Sequence, residues 1–159
     1  MKSLLTSFLF LLFFIPAQSQ CTPDFSQTSP GLYPDTLPDG FVGQSYSEDI
    51  TFVLPLDTMG YLFTNFHILA ISLPVGLTWQ CNNFSNGCNY DPQVNQYGCV
   101  NVTGTPLLAG QYNIDVTVIA DLDIVQGVPV TFQVYMEVLP NNTSVSNTGF
   151  SMQGSSGCL

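Results

Sequence analysis

The stretch GQYNIDVTVIADLDIVQGVPVTFQVYMEVL, residues 110–139, decides the fold class. Tyr112, Ile114, Val116, Val118 and Ala120 alternate with Asn113, Asp115, Thr117, Ile119 and Asp121. After a Gly-containing break, Val128, Val130, Phe132, Val134, Met136 and Val138 alternate with Thr131, Gln133, Tyr135 and Glu137. Side chains of a strand point to opposite faces in turn, so each run reads as a ribbon with one face in a core and one in water. The pair therefore predicts two long neighbouring strands.

The same period extends upstream. Tyr46–Leu54 and Tyr61–Leu73 read as strands, and the second is apolar on both faces, which predicts a central position. Pro74 and Gly76 turn the chain into a short strand, Leu77–Gln80, and Val100–Thr103 precedes the turn Gly104-Thr105-Pro106. No segment of this region sustains a helical repeat. Six or seven strands over about 100 residues predict an all-β, two-layer β-sandwich.

Around this centre the chain divides by composition. Lys2, the apolar run Leu4 to Ile15 and the small-residue site Ala17-Gln18-Ser19 have the form of a secretory signal peptide, 1–19. The run is too short to span a membrane, and no later segment is apolar enough to do so. Residues 20–40 are rich in Pro and Asp and read as an extended lead-in. The sandwich occupies 41–140, and 141–159 reads as a polar tail or the start of a further module.

Lys2 is the single Lys or Arg of the chain, and residues 3–159 carry all 11 acidic side chains. Without cations the exported chain cannot neutralise phosphates, so nucleic acid is excluded as a partner. A P-loop lysine, an arginine clamp and a Schiff-base lysine are excluded on the same ground. The one histidine, His67, has no G-x-S-x-G elbow to accompany it, which argues against a serine hydrolase.

In an exported chain the cysteines predict disulfides. Cys21, Cys81, Cys88 and Cys99 allow three pairings, and Cys158 is left over near the end. If Leu77–Cys81 pairs with Cys99–Thr103 as one hairpin, Cys81 and Cys99 stand opposite each other, which favours that bridge.

An ordered set of motifs runs through the middle region: Leu73-Pro74-Val75-Gly76-Leu77-Thr78-Trp79, Val102-Thr103-Gly104-Thr105-Pro106, Ala109-Gly110-Gln111-Tyr112 and Val116-Thr117-Val118. The order resembles the immunoglobulin-like (cadherin-like) repeat of bacterial secreted and surface proteins, over about residues 41–140. Cys21-Thr22-Pro23-Asp24, Gly31-Leu32-Tyr33-Pro34-Asp35 and the Cys81/Cys88/Cys99 insert further resemble type IX secretion cargo. The resemblance implies an immunoglobulin-like sandwich of about seven strands, in a secreted or cell-surface protein of several domains. Ala109-Gly110-Gln111-Tyr112 also has the form of a tyrosine corner, a phenol reaching back to the main chain at the turn between strands.

Three functional readings follow. The first is a non-catalytic adhesion or spacer module whose partner is an extracellular protein or glycan. The second is a carbohydrate-binding module, with Trp79, Tyr90 and Tyr97 around the insert as a stacking platform. Trp79 shares a strand face with Leu77, so core packing is its expected role. The third is a small hydrolase working through paired carboxylates. Asp121 and Asp123, two apart at a strand end, are a candidate Ca²⁺ pair; a solvated acidic loop is the plainer reading, since no Asp-x-Asp-x-Asp-Gly loop is present. No other cofactor is expected.

Overall fold

The computed structural model describes residues 21–141. The signal-peptide segment, the polar tail from residue 142 onward and Cys158 lie outside the described residues. The described residues form ten strands: β1 Gly31–Tyr33, β2 Gly40–Phe41, β3 Tyr46–Val53, β4 Asp57–Thr58, β5 Tyr61–Ile71, β6 Leu77–Cys81, β7 Asn89–Tyr90, β8 Tyr97–Gly104, β9 Gly110–Leu122 and β10 Val128–Leu139. The six longer strands are those expected from periodicity. The four additions are only two or three residues long, too short for a period to show. The one helical turn among the described residues is a 3₁₀ turn, Phe84–Asn86.

The strands make two sheets. One has the order β1-β3-β8-β6; the other has β2-β10-β9-β5-β4, with β7 added on the free side of β5. Both alternating ribbons of the opening stretch pair antiparallel along their whole length, from Val128 opposite Ala120 to Val138 opposite Gly110. Their inner faces, with Ile50, Phe52, Val100, Val102, Phe66 and Ile68, form one continuous core. Ile114, Val102 and Met136 are wholly buried there. Each such aliphatic side chain contributes about 1.5–3 kcal/mol by leaving water.

The central strand is β9, and β5 is not central as expected. β5 has β9 on one side and only the short β4 and β7 on the other. A bulge between Ile68 and Ala70 breaks its alternation, so Phe66, Ile68 and Ile71 face inward. Leu62 and Leu69 are left outside. An extra residue in a strand turns an apolar pair outward in this way, and the doubly apolar pattern records the bulge rather than burial on both faces.

Residues 21–41 are part of the sandwich and not an approach to it. The first part lies across the outer face of the four-stranded sheet. The Asp24 main-chain N–H donates to Thr51 Oγ1 at 2.9 Å, the Tyr97 hydroxyl donates to the Gln27 carbonyl at 2.8 Å, and Phe25 meets the Tyr97 ring edge-on. Outward-facing Thr51 and Val53 are buried, at 4% and 3% exposure, because this strap covers them. The chain then pairs with β3 as β1, crosses to the other sheet, drops Leu37 into the core and runs parallel to β10 as β2.

The disulfides are Cys21–Cys99 and Cys81–Cys88, not Cys81–Cys99. β6 and β8 do pair, but one residue away from the expected register, with Leu77 opposite Gly104 and Cys81 opposite Val100. A one-residue slip reverses which face a side chain takes. Cys81 therefore looks into the core with Val100, while Cys99 looks outward, beside Thr51 and under the strap.

Two tyrosine corners close the turns. Tyr112 Oη donates to the Leu108 carbonyl at 3.0 Å, as the local pattern suggested, and Tyr33 Oη donates to the Ser29 carbonyl at 2.9 Å. In each case a glycine two residues earlier, Gly110 or Gly31, lies beneath the ring.

Candidate functional site

Three loops gather at one pole. β3 ends where β8 begins, and the Leu54 N–H donates to the Gln96 carbonyl at 2.8 Å; β5 begins where β9 ends, and the Asp123 N–H donates to the Leu62 carbonyl at 3.0 Å. The loops 54–61, 82–96 and 122–127 are thus neighbours. The chain leaves the described fold at Asn141, beyond β10, at the opposite pole.

Side-chain amides bind these loops into a frame. Gln93 Nε2 donates to the carbonyls of Leu56 at 2.8 Å and Phe63 at 3.0 Å. Asn65 Nδ2 donates to Asn89 Oδ1 at 3.2 Å and to Asp121 Oδ2 at 3.4 Å. Asp121 Oδ1 accepts from the Gly127 N–H at 2.7 Å. Asp121 therefore holds the β9–β10 turn and ties it to the cysteine insert. Asp123 stays exposed in that turn. Among the described residues no three His, Cys, Asp or Glu side chains come together.

The insert 82–96 links the two sheets. It leaves β6 at one sheet, passes the Cys81–Cys88 bridge and joins the other sheet as β7, where Tyr90 pairs with Phe66. Of the three expected platform aromatics, Tyr90 and Tyr97 come to one cup and Trp79 does not. Trp79 packs on the core from the inner face of β6, and Tyr90 is buried against the Phe52 ring with centroids 4.8 Å apart. Gly98 leaves room for that pair, since a side chain there would overlap the Phe52 ring. Tyr97 lies under Phe25 and borders, with Tyr90, the cup on the insert; Trp79 does not line it.

What the insert adds to these rings is amide. Five asparagines between Asn82 and Asn95 line, with Asp91, Val94, Tyr90 and Tyr97, a cup of about 410 Å³. Asn83 Nδ2 donates to the Asn89 carbonyl at 2.6 Å, and Asn82 Oδ1 accepts from the Tyr90 hydroxyl at 2.8 Å. The density of asparagine between the cysteines is the sequence signal for this cup, and reading the insert for its aromatics misses it. Beside it, loops 54–61 and 122–127 and the start of β5 expose Leu56, Met59, Tyr61, Leu62, Ile124 and Val125. Met59 is 96% exposed at a hairpin tip with positive φ of 52°. Adjoining exposed apolar side chains of this kind mark contact surfaces.

Burial pushes the Tyr90 phenol up to about 12, from its ordinary 10.0. Burial also raises Tyr46, with the Glu48 and Asp39 carboxylates adding to the shift. Between about pH 10 and 12 the folded chain then holds protons that the unfolded chain has lost, so stability is complete below pH 10 and falls above it. The urea midpoint is expected to be level from about pH 8 to 9.5 and to drop by pH 11, with a smaller drop in Y90F; a midpoint unchanged at pH 11 contradicts the burial.

No family model matches the chain, and no curated protein matches it. Similar solved structures include the Vibrio cholerae VesB protease, at 13% identity and a TM-score of 0.41, over 68% of this chain and 31% of that one. Another is an endo-fucoidan hydrolase of glycoside hydrolase family 107, at 20% identity and a TM-score of 0.35, over 66% of this chain and 12% of that one. The chain thus spans less than a third of the length of either protein.

Proposed function

We propose that the chain is a non-catalytic, exported, immunoglobulin-like module that serves as an adhesion or spacer domain of a secreted or cell-surface protein. The observation that carries this reading is the polarity of the fold. A hydrogen-bonded frame holds exposed Leu56, Met59, Tyr61, Leu62, Ile124 and Val125 at one pole, and the chain departs at the other. The two disulfides and the ordered motif set support export and the immunoglobulin-like assignment.

Beads carrying the chain through its C-terminus test the reading on surfaces coated with extracellular proteins or glycans. Retention is expected, with loss in M59S/L62S/I124S and none in L107S/L108S at the opposite pole, while both variants keep the parent melting temperature. Equal retention of all three proteins contradicts the adhesive pole, and no retention on any surface overturns adhesion and leaves the spacer role.

The asparagine cup favours a second reading, binding of a neutral glycan, since amides match hydroxyl groups as both donors and acceptors. With 11 acidic residues and no Lys or Arg beyond Lys2, sulfated and uronate sugars are repelled. A panel of neutral and anionic oligosaccharides separates the two classes.

A further inference from the structure

We propose that the upper half of the β10 edge is an acceptor site for a β-strand supplied by another protein. The site lies on the side of the sandwich and does not depend on the adhesive pole. Tyr135 turns its main chain away from β9: its N–H donates to the Asp35 carbonyl at 3.0 Å, and its carbonyl accepts from the Leu37 N–H at 2.8 Å. Further down, the Leu139 carbonyl accepts from the Val42 N–H at 3.0 Å. Residues 35–42 thus cover the lower half of this edge. Strand alternation points the main chains of Gln133, Thr131 and Pro129 the same way. Among the described residues no main-chain group pairs with them there. Pro129 stands where an outward N–H would otherwise be, a position that proline takes on edge strands.

The open edge has a slot beside it. Phe132 belongs to the inner face of β10 yet is 38% exposed, whereas Val134 and Met136 on the same face are buried. Phe132, Leu32, Phe52, Leu54, Phe66 and Val118 line an apolar cavity of about 150 Å³ between the sheets. A cavity of about that volume holds a benzene-sized group. An added strand would take main-chain hydrogen bonds from Thr131 and Gln133 and send one apolar side chain into the slot, the recognition mode of strand addition.

Charge selects the occupant. Asp35 stands at the lower end of the open edge, and Asp115 faces Gln133, whose Nε2 donates to Asp115 Oδ1 at 2.9 Å. Lys2 apart, the chain has no Lys or Arg to balance these carboxylates. A second copy would bring a like charge to a like charge, which opposes self-pairing. The fitting partner is an extended segment with apolar residues on one face and Lys or Arg on the other.

Amide hydrogen exchange on the full chain tests this, with an alternating lysine–valine decapeptide as probe. Its controls are the glutamate–valine counterpart and a lysine–valine peptide interrupted by proline. The lysine–valine peptide is expected to slow exchange at Thr131 and Gln133 by about tenfold or more, and the controls to leave both amides unchanged. T131P removes an outward N–H at an edge position, and it should abolish binding while keeping the parent melting temperature. Unchanged exchange in the parent protein overturns the proposal even if T131P fails to fold. So does protection by the proline-interrupted peptide, which would show charge attraction only. Protection of both amides in the free chain also overturns it, with sedimentation as a dimer identifying a second copy and loss on deleting 142–159 identifying the chain's own tail.

Discussion

Replacing Cys21 and Cys99 together by serine is expected to lower the unfolding free energy by about 4.5 kcal/mol, roughly 15–20 °C in melting temperature. The bridge closes a separation of 78 residues, and removing it frees the unfolded chain over that whole length. Cys81–Cys88 closes a separation of only 7, and the same relation gives about 2.4 kcal/mol for C81S/C88S. The folded state adds to the difference. Cys99 is wholly buried and Cys21 is 7% exposed, and the bridge anchors the strap that covers Thr51 and Val53. Calorimetry of both double variants checks the ordering. A loss for C21S/C99S no larger than for C81S/C88S would mean that the strap is not an integral layer of the fold.

The second large effect comes from two glycines that touch. Gly76 ends the Leu-Pro-Val-Gly turn and Gly104 ends β8; the Thr105 N–H donates to the Gly76 carbonyl at 2.9 Å. A Cβ on Gly76 would overlap the Thr105 carbonyl oxygen, and one on Gly104 would overlap the Gly76 carbonyl oxygen. Both also take positive φ, 96° and 140°. Main chain cannot step aside as a flexible side chain can. G76A is therefore expected to cost at least about 3 kcal/mol, combining overlap with left-handed strain. G127A is the control: Gly127 has φ of 76° but nothing within 4 Å of its added Cβ, so about 1 kcal/mol is expected from backbone strain alone. Denaturant unfolding of the two variants measures the gap. Equal losses would show that the two turns do not interlock.

This contact joins two of the motifs physically. Leu73-Pro74-Val75-Gly76 and Thr103-Gly104-Thr105-Pro106 read as separate turns, and the structure packs one against the other. The all-β class and four of the long strands were legible because a two-residue period sustained over eight to thirteen residues matches a strand and does not match a helix. Further features left weaker traces. The register of β6 on β8 is a matter of one residue, invisible to a pattern and decisive for Cys99. In 20–40 the prolines masked strand pairing, although Gly31-Leu32-Tyr33 repeats the Gly110-Gln111-Tyr112 form of the second tyrosine corner. The aromatics of the insert were visible, but the burial of Tyr90 against the core depends on β7 crossing to β5, a long-range pairing two residues long.

The most direct measurement is a disulfide map of the unreduced protein. Trypsin has no site beyond Lys2, and pepsin at acid pH cuts while suppressing exchange. Peptides joining Cys21 to Cys99 and Cys81 to Cys88 are the expected result. A peptide joining Cys81 to Cys99 would put both on one face of the sheet and contradict the register, the strap and the two-layer arrangement built on them.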